Sequence, residues 1–392
     1  MKRKILYVEG SPYANYPADP EKNVGGSIIS LYYLLKSLNG HKYSPSLFLF
    51  YDSCFLDRIQ GFYQKIIIQT KEYRRGTAKK PVHVFFSRDQ YSFLSYMKMF
   101  FLRVIPSAKR MYSLLKRECP DIVHCNNSLR MNMDVILASR LAGIPCVCHV
   151  RSHEKLSFIN KRCAGFVDYF VCTSEAVRNN YLEQGIKKEK LVVIPNGLDI
   201  QDFPIPVRQD RAGGDFIVST IGRMVEWKGH EMLLEAIPHV IREKKNVQFW
   251  FVGDGKKRAE LEEKASALNI GQHTKFQGFA QDIRPVLSDS DLVVHTPTRP
   301  EPFGRVVIEA MAMQKPVIAT NLGGPSEIIT DGQDGILIEP GKPDRLAEAV
   351  LQMLDNPERR QRIGKAARKT VEEHYDSKNT AESVERLYAS LF

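Results

Sequence analysis

The sequence predicts an α/β protein that consists of two Rossmann-like domains. Short β-rich runs alternate with longer helical stretches along the chain of 392 residues. Several runs, such as DIVHCN at 121–126 and FIVSTIG at 216–222, are apolar on both faces, as parallel strands are when helices cover both sides of their sheet. Ten such runs are too many for one sheet, so we expect two domains, each large enough to bury its own core.

Ten strands are predicted, with helical stretches such as SIISLYYLLKSLN and HEMLLEAIPHVIREKK between them. The strands are 4–9, 121–126, 145–150, 169–174, 191–196, 216–222, 247–253, 274–279, 292–297 and 316–321. The stretch around 200–214 is rich in Pro, Asp and Gly and has no clear period, which is typical of a linker. We therefore place the domain boundary between residues 200 and 201.

Composition indicates an ordinary globular protein, with 43% hydrophobic and 26% charged residues. No apolar run approaches the roughly 18 residues that a membrane span needs. The start, MKRKILYVEG, is interpreted as a first strand and not as a signal peptide, so we expect a cytoplasmic protein. The seven cysteines form no C-x-x-C pair, which favours buried thiols over a disulfide framework or a zinc site.

Positive charge is concentrated in the first half of the chain. Residues 1–200 contain 30 Lys and Arg against 16 Asp and Glu, whereas residues 201–392 contain 26 against 29. The stretch 91–117 mixes aromatic and apolar residues with Lys and Arg, and the basic stretch KEYRRGTAKK lies nearby at 71–80. Such a surface suits anionic lipid head groups, although ordinary amphipathic helices with solvated charges explain the pattern equally well. No nucleic-acid recognition element is present, so we expect no nucleic-acid partner.

Glycine-containing turns follow several predicted strands. Ligands of open α/β sheets bind beyond the carboxyl ends of strands, where helix N-termini favour phosphates. GGS at 25–27 heads a helix, with Gly25 and Gly26 allowing close approach of a ligand and Ser27 placed to cap; a plain loop with a helix cap explains the pattern equally well. GRMVEWKG at 222–229 places Arg223 and Lys228 around a strand-to-helix turn, which suits a diphosphate, with two solvated surface cations as the alternative. VGDG at 252–255 and FQGF at 276–279 could admit a flat base.

EPFGRVVIEAMA at 301–312 places Glu301 in the loop before a helix and Glu309 inside it. Eight residues at about 100° each leave the two carboxylates on different faces of a helix, so they are not a helical pair. The helix dipole stabilises the anion of Glu301. Glu309 lies among apolar residues, where a carboxylate is rarely buried without a partner. Sugar hydroxyls are suitable partners, and an exposed helix face is the alternative.

These motifs together resemble the family 4 retaining glycosyltransferases. The resemblance rests on EPFGRVVIEAMA…PVIATNLGGPSEII preceded by IGRMVEWKG and VGDG, and on GGS and IPNGLD upstream. It implies the GT-B fold, in which two Rossmann-like domains face each other across a cleft. It also implies an N-terminal acceptor-binding domain at 1–200, a nucleotide-sugar-binding domain at 201–376, and a last helix at 377–392 that crosses back to the first domain.

The resemblance also implies roles for single residues. Glu301 looks like the glutamate that contacts the donor sugar, and Glu309 like the one that binds the ribose. Arg223 and Lys228 look like the diphosphate-binding pair. The remaining donor-binding positions are the glycine loop at Gly25 and Gly26, the base pocket at Gly278 and Phe279, and backbone N–H groups around Phe303 and Gly304.

The chain departs from this family pattern after the strand at 145–150. Many members have a His near the acceptor there, but counting along CVCHVRSHEK puts Arg151 in that place. Arg151 could tune acceptor geometry or stabilise the leaving phosphate, and the sequence leaves both open. We interpret His149 as a core residue on the strand. His153, past the strand end, is the better site candidate.

The expected activity is retaining transfer of a hexose-type sugar from a UDP- or GDP-sugar to a saccharide or lipid-linked acceptor, in cell-surface polysaccharide biosynthesis. Glu301, Arg151 and His153 are the predicted catalytic residues. No aspartate cluster suggests a divalent cation, so we expect neither a metal nor a cofactor, with cations and helix dipoles neutralising the diphosphate. The alternatives are a sugar-nucleotide epimerase of the same fold and a non-enzymatic anion-binding protein.

Overall fold

The structure is a computed structural model that describes residues 2–11, 25–50, 56–59, 61–68, 97–206 and 214–392. The basic stretch 71–80 and residues 91–96 lie outside the described residues, as do residues 207–213 of the predicted linker. The chain divides into two compact units. Unit 1 comprises Met1–Thr173, Val177–Pro195 and Thr380–Phe392, and unit 2 comprises Ser174–Ala176 and Asn196–Asn379. Residues 380–392 therefore belong to unit 1, although they follow unit 2 in the chain.

Each unit is built on one parallel sheet. The seven strands among the described residues of unit 1 are β1 (Arg3–Glu9), β2 (Tyr43–Leu49), β3 (Lys65–Ile68), β4 (Ile122–Asn127), β5 (Cys146–Val150), β6 (Tyr169–Cys172) and β7 (Leu191–Val193). The six strands of unit 2 are β8 (Phe216–Ile221), β9 (Val247–Val252), β10 (Thr274–Gly278), β11 (Leu292–His295), β12 (Val317–Thr320) and β13 (Ile336–Ile338). The strand orders are β3-β2-β1-β4-β5-β6-β7 and β10-β9-β8-β11-β12-β13, which confirms the prediction of two Rossmann-like domains.

Fourteen α-helices connect the described strands. They are α1 (Gly26–Ser37), α2 (Leu56–Ile59), α3 (Ile105–Glu118), α4 (Met133–Ala142), α5 (Phe158–Ala164), α6 (Glu175–Leu182), α7 (His230–Glu243), α8 (Arg258–Ala267), α9 (Arg284–Asp289), α10 (Arg305–Ala312), α11 (Gly324–Ile328), α12 (Pro343–Asp355), α13 (Pro357–His374) and α14 (Ser377–Ala389). A π-helical turn at Phe100–Val104 precedes α3.

Apolar residues cover both faces of the unit 1 sheet. One face packs Val123, Cys148 and Phe170 against α3 and α4 residues. The other face packs Ile122 and Val171 against α1 and the last helix, α14. Strands that are buried on both faces explain why the apolar runs of the sequence do not alternate.

All ten predicted strands are present, and three described strands were not predicted. β2 has the sequence YSPSLFL, in which Pro45 lacks an N–H group, so the run did not resemble a strand. β3 and β13 have four and three residues and lie at sheet edges. Such short runs have too little periodicity to be recognised without their neighbours.

Candidate functional site

The turn that follows β8 is pressed against the end of β11. Gly229 has a φ of +68°, and a Cβ atom there would lie 1.8 Å from the carbonyl oxygen of Thr296, so only glycine fits. The hydroxyl of Thr296 in turn donates to the carbonyl of Gly229 at 3.0 Å. This contact brings Lys228 to the loop that contains Glu301. Arg223, on the same turn, is exposed.

Lys228 and Glu301 form an ion pair that is mostly shielded from solvent. The Nζ atom of Lys228 lies 2.6 Å from Oε2 of Glu301, with the side chains 15% and 11% exposed. The ammonium also lies 4.4 Å from the ring centroid of Trp227, a distance that suits a cation–π interaction. The prediction placed both residues in one donor site, and the structure brings them into direct contact.

The pKa of Glu301 is set by opposing effects. Burial raises the pKa, but the close contact with His295 and the charge of Lys228 outweigh burial and lower the pKa from 4.5 to about 2. Nε2 of His295 lies 3.5 Å from Oε2 of Glu301. Glu301 is therefore a carboxylate at neutral pH, able to accept hydrogen bonds from hydroxyl groups but not to donate a proton.

Two buried histidines beside this pair are neutral at pH 7. Burial is the main reason that the pKa of His230 falls to about 4, and it also lowers the pKa of His295. Nε2 of His230 lies 3.1 Å from the carbonyl oxygen of Arg223. Because a carbonyl only accepts, the proton of this neutral imidazole must be on Nε2. The positive charge near Glu301 therefore comes from Lys228 and not from these histidines.

The loop with Glu301 interlocks with the start of α11. The N–H of Gly324 donates to the carbonyl of Glu301 at 2.8 Å. A Cβ at Gly323 would lie 2.4 Å from the Glu301 carbonyl oxygen, and a Cβ at Gly324 would lie 2.2 Å from that of Phe303. Both glycines are thus required for two backbone segments to pass this closely.

Phe303 and Gly304 are the two residues directly before α10. The ring of Phe303 is only 5% exposed and lies 6.0 Å from the ring of Tyr375, so it anchors the loop in the core. Gly304 has a φ of +97° and is the residue before α10, with no side-chain cap. The backbone N–H groups that the prediction assigned to the donor are at this helix start.

Glu309 is buried, so the alternative of an exposed helix face is wrong. It is 7% exposed, and the guanidinium of Arg305 donates to it from one turn earlier in α10. This partner was not anticipated, although the i, i+4 spacing of Arg and Glu is a known signal. Its predicted contact with ribose remains a prediction.

The ends of β8, β9 and β10 meet at the same edge of the sheet. The N–H of Gly253 donates to the carbonyl of Gly278 at 2.7 Å, and a Cβ at Gly253 would lie 1.9 Å from the carbonyl oxygen of Gly222. Gly278 has a φ of +76°. Phe279 follows it with 55% of its side chain exposed. The predicted base-pocket residues therefore lie on the same edge as Arg223, Lys228 and Glu301.

A cavity of about 750 Å³ lies at the opposite edge of the unit 2 sheet, lined by residues such as Ile217, Asp291 and Pro316. These residues are at the amino ends of their strands. Lys315 also lines it, but its ammonium already donates to the carbonyls of Ser288 and Ser290 at 2.8 Å. We therefore assign the candidate site to the carboxyl edge.

In unit 1 the glycine turn leads directly into α1. Gly25 is the exposed residue before the helix, and a Cβ there would meet nothing closer than 3.9 Å. The expectation that Ser27 caps α1 is wrong, because α1 begins at Gly26 and has no side-chain cap. Ser27 instead donates its hydroxyl proton to Oε1 of Glu9 at 2.8 Å.

Arg151 is connected to Glu9 through Asn126. Nε of Arg151 donates to Oδ1 of Asn126 at 2.9 Å, and Nδ2 of Asn126 donates to Oε2 of Glu9. Glu9 is the last residue of β1 and Asn126 is the second-last residue of β4, and each is at most 1% exposed. Arg151 follows β5 and is half-buried. Glu9 and Asn126 were not predicted as site residues, although each is a polar residue at the end of an apolar strand.

His149 is a buried strand residue, as predicted. Its Nδ1 lies 3.3 Å from a terminal nitrogen of Arg151. Burial, and then the charge of Arg151, keep the pKa of His149 well below 6.5 and lower that of the neighbouring His124 to about 3. Both imidazoles are therefore neutral at pH 7, and Arg151 keeps its charge.

His153 lies in the half-buried loop that follows β5. Asn180 of α6 and Gln184, which follows that helix, hold this loop in place: Oδ1 of Asn180 accepts from the N–H of Glu154 at 3.0 Å, and Oε1 of Gln184 accepts from the N–H of Leu156 at 2.6 Å. The loop is thus a well-anchored platform for Arg151 and His153. Their predicted catalytic roles remain predictions.

The helical stretch that contains α3 exposes a basic and apolar stripe. Phe101 and Leu102 are 58% and 62% exposed. Residues 97–117 contain six Lys and Arg and no Asp or Glu. We define the basic face as five exposed residues of this stretch: Lys98, Phe101, Leu102, Lys109 and Lys116. Within the part of the chain that the structure describes, no helix is both long and apolar enough to span a bilayer.

Two family models match the chain, one for each half. The model of Glycosyltransferase Family 4 matches residues 24–202, and the model of Glycosyl transferases group 1 matches residues 204–370. The lipopolysaccharide core biosynthesis glycosyltransferase LpsE of Rhizobium meliloti is 28% identical over 228 residues, which cover 57% of this chain and 64% of LpsE. The alpha-D-kanosaminyltransferase of Streptomyces kanamyceticus is 31% identical over 177 residues, 45% of this chain and 46% of that protein. The chain thus matches less than two thirds of the length of either relative.

Solved structures are similar over nearly the whole chain. Anabaena HepE in complex with UDP and glucose has a TM-score of 0.76 at 23% identity and is matched over 99% of this chain and 100% of its own. Sucrose-phosphate synthase from Thermosynechococcus elongatus has a TM-score of 0.74 at 20% identity, over 100% and 99% of the two chains. At these identities the similarity shows a common fold.

Proposed function

The chain belongs to the family 4 glycosyltransferases of the GT-B fold, with a group 1 domain in its second half, and we propose that it is a retaining glycosyltransferase. It moves a hexose-type sugar from a UDP- or GDP-sugar to a saccharide or lipid-linked acceptor. UDP is favoured as the carrier, since HepE was solved with UDP and with UDP-glucose. The relative LpsE supports a place in cell-surface polysaccharide biosynthesis.

The observation that carries this proposal is the Lys228–Glu301 pair at the carboxyl edge of the unit 2 sheet. An ammonium has three donor protons, so Lys228 can keep Glu301 in place and also donate to a phosphate oxygen. Glu301 is held as an anion whose oxygens accept hydrogen bonds from sugar hydroxyls. In a nucleotide-sugar the diphosphate is bonded directly to the sugar. A cation that suits phosphate, placed beside a carboxylate that suits hydroxyl groups, matches these two neighbouring parts of the donor.

The leaving diphosphate needs positive charge that is already in position when the glycosidic bond breaks. Lys228, Arg223 and the backbone N–H groups at the start of α10 supply it in unit 2. This arrangement supports transfer that needs neither a metal ion nor a cofactor. Full activity in the presence of a chelator such as EDTA is the expected result, and a requirement for Mg²⁺ or Mn²⁺ would contradict metal independence.

Arg151 acts electrostatically in this proposal. A guanidinium stays protonated at all relevant pH values, so it cannot take a proton from the acceptor hydroxyl. Its fixed charge instead favours the negative charge that develops on the leaving phosphate. His153, in the same loop, is the residue that we assign to proton transfer. Retention of configuration follows the family resemblance, with the acceptor attacking from the face of the leaving group.

We also propose that the protein works in the cytoplasm at the inner face of a membrane. The six cysteines that the structure describes are free thiols, which suits a reducing compartment. The basic face combines lysines with the exposed Phe101 and Leu102, as surfaces that contact anionic lipid do. A lipid-linked acceptor would be presented at such a surface.

The test of the activity is transfer from a panel of UDP- and GDP-sugars, comparing wild type with Glu301→Gln. This change keeps the shape of the side chain and removes the anion, so we expect transfer to fall by about 100-fold or more. Glu348→Gln is the matched control, because Glu348 pairs with Arg345 on the exposed surface of the same unit. Full transfer by Glu301→Gln would contradict the site assignment. Isomerised nucleotide-sugar without transfer would indicate the epimerase, and binding without turnover would indicate the anion-binding protein.

A further inference from the structure

We infer that Asn126 is a positioning residue that holds the guanidinium of Arg151, with buried Glu9 as its anchor. The inference rests on the proposed function in one respect, which is that Arg151 takes part in the transfer. The residues involved belong to β1, β4 and the loop after β5, which are next to one another in the unit 1 sheet.

The contacts form a continuous chain from the core to Arg151. Oε1 of Glu9 accepts from Ser27 Oγ at 2.8 Å, and Oε2 accepts from Nδ2 of Asn126. Nδ2 also lies 3.2 Å from the carbonyl oxygen of Ser27. Oδ1 of Asn126 then accepts from Nε of Arg151 at 2.9 Å. The last bond uses Nε, so it orients the plane of the guanidinium.

The two ends of this chain determine which way the Asn126 amide points. A carboxylate only accepts hydrogen bonds and a guanidinium only donates them. The amide nitrogen must therefore face Glu9 and the amide oxygen must face Arg151, because the flipped amide would be repelled at both ends. Burial removes water as an alternative partner, since Asn126 is fully buried and Glu9 is 1% exposed. The bonded arrangement is thus the one orientation that satisfies both neighbours.

A structural role alone does not explain the connection to Arg151. The Glu9 carboxylate already accepts from Ser27 and Asn126 without it. Arg151 is half-buried and could instead have been solvated. Holding the side chain through Nε leaves it fewer rotamers, and this lowers the entropy that it loses when it stabilises the charge that develops on the leaving phosphate. The predicted function of Asn126 is therefore to pre-organise Arg151.

The kinetic test is a double-mutant cycle of Asn126→Ala and Arg151→Ala. We expect Asn126→Ala to lower kcat by about 10- to 100-fold and to change donor KM little. The reason is that a small misplacement of a catalytic group can lower the rate by up to about 10²-fold. In the Arg151→Ala background the same change should lower kcat no further. Asn179→Ala, at an exposed position on α6, is the control that keeps wild-type kcat. Equal losses in both backgrounds would overturn the inference, because a residue that only stabilises the fold acts independently of Arg151.

A second measurement does not depend on activity. In ¹H–¹⁵N spectra of arginine side chains, the Nε–H of Arg151, assigned by its loss in Arg151→Lys, should exchange slowly with solvent in wild type. We expect fast exchange in Asn126→Ala and unchanged slow exchange in Asn179→Ala. Slow exchange that persists in Asn126→Ala would overturn the inference.

The two measurements separate the possible failures. If wild type transfers no sugar from any donor, the proposed function fails, while the exchange measurement still decides whether Asn126 holds Arg151. If wild type transfers sugar and Asn126→Ala keeps wild-type kcat, the positioning role is refuted and the proposed function stands.

Discussion

Glu301 shows how a single residue depends on neighbours that are distant in the sequence. This residue is 8% exposed, and burial alone would favour the protonated form of its carboxyl group. Lys228 and His295, from the turn after β8 and from β11, reverse that preference. A buried charge of this kind is tolerated only because its partner is in place.

This pairing predicts a pH dependence of stability. The pKa of Glu301 is about 2 in the folded protein against 4.5 for the ordinary group, so the unfolded chain binds the proton more tightly. The carboxylate therefore stabilises the fold fully above pH 4.5, and that contribution, up to roughly 3 kcal/mol, is lost as the pH falls towards 2. Urea unfolding between pH 5 and 3 should show a smaller drop in the free energy of unfolding for Glu301→Gln than for wild type.

Glu348→Gln is again the control, because its exposed ion pair contributes little. It should reproduce the wild-type dependence. An identical slope for Glu301→Gln and wild type would show that the carboxylate has an ordinary pKa in the folded protein.

At the scale of elements, the site depends on how closely loops pass one another. The start of α11 lies against the Glu301–Gly304 loop with no room for a Cβ atom at Gly324. The turn before α7 lies against Thr296 in the same way, through Gly229. Two close backbone contacts thus set the position of Lys228 relative to Glu301. Both contacts require a glycine, because a side chain would keep the two segments apart.

Gly324→Ala tests this arrangement. The added Cβ would lie 2.2 Å from the carbonyl oxygen of Phe303, so the loop must shift. We expect the free energy of unfolding to fall by about 1–3 kcal/mol, as overpacking does, and UDP affinity measured by calorimetry to weaken. Gly271→Ala is the matched control, since a Cβ there meets nothing within 4 Å. Wild-type UDP affinity in Gly324→Ala would show that the loop contact does not shape the site.

At the scale of the whole molecule, charge is divided between the two halves of the chain. The excess of Lys and Arg lies in residues 1–200, and the second half is slightly acidic. A protein whose field is concentrated in one part associates with an anionic surface through that part. We expect the basic face to be the surface that contacts the anionic membrane, because its lysines flank exposed apolar side chains.

Liposome flotation measures this association. Wild type should float with vesicles that contain phosphatidylglycerol at low salt, and less at high salt, because salt screens exposed charges. The double change Phe101→Ser and Leu102→Ser should reduce flotation, since both side chains are more than half exposed. Leu141→Ser, at a position 69% exposed on α4, is the control. Absence of wild-type flotation at low salt would remove the membrane proposal.

Much of the fold was predictable because hydrophobic patterning is local. The ten predicted strands lie in runs of six or seven residues whose apolar pattern can be read directly, and each is present. Three strands were not predicted: β2, which contains a proline, and the short β3 and β13. They form by pairing with neighbouring strands, and a short segment of sequence does not show how it will pair. For the same reason Glu301 and Lys228 could be placed at strand ends, but their direct contact could not be foreseen.

The two α/β units and the turns at the carboxyl edges could be read from the amino-acid pattern, because strand and helix periods and glycine turns act over a few residues. Which side chains meet depends on the folded arrangement: Lys228 with Glu301, Arg305 with Glu309, and Arg151 with Glu9 through Asn126. Burial and charge pairing are properties of packed elements, so the protonation state of Glu301 and the orientation of Arg151 exist only once the sheets have formed.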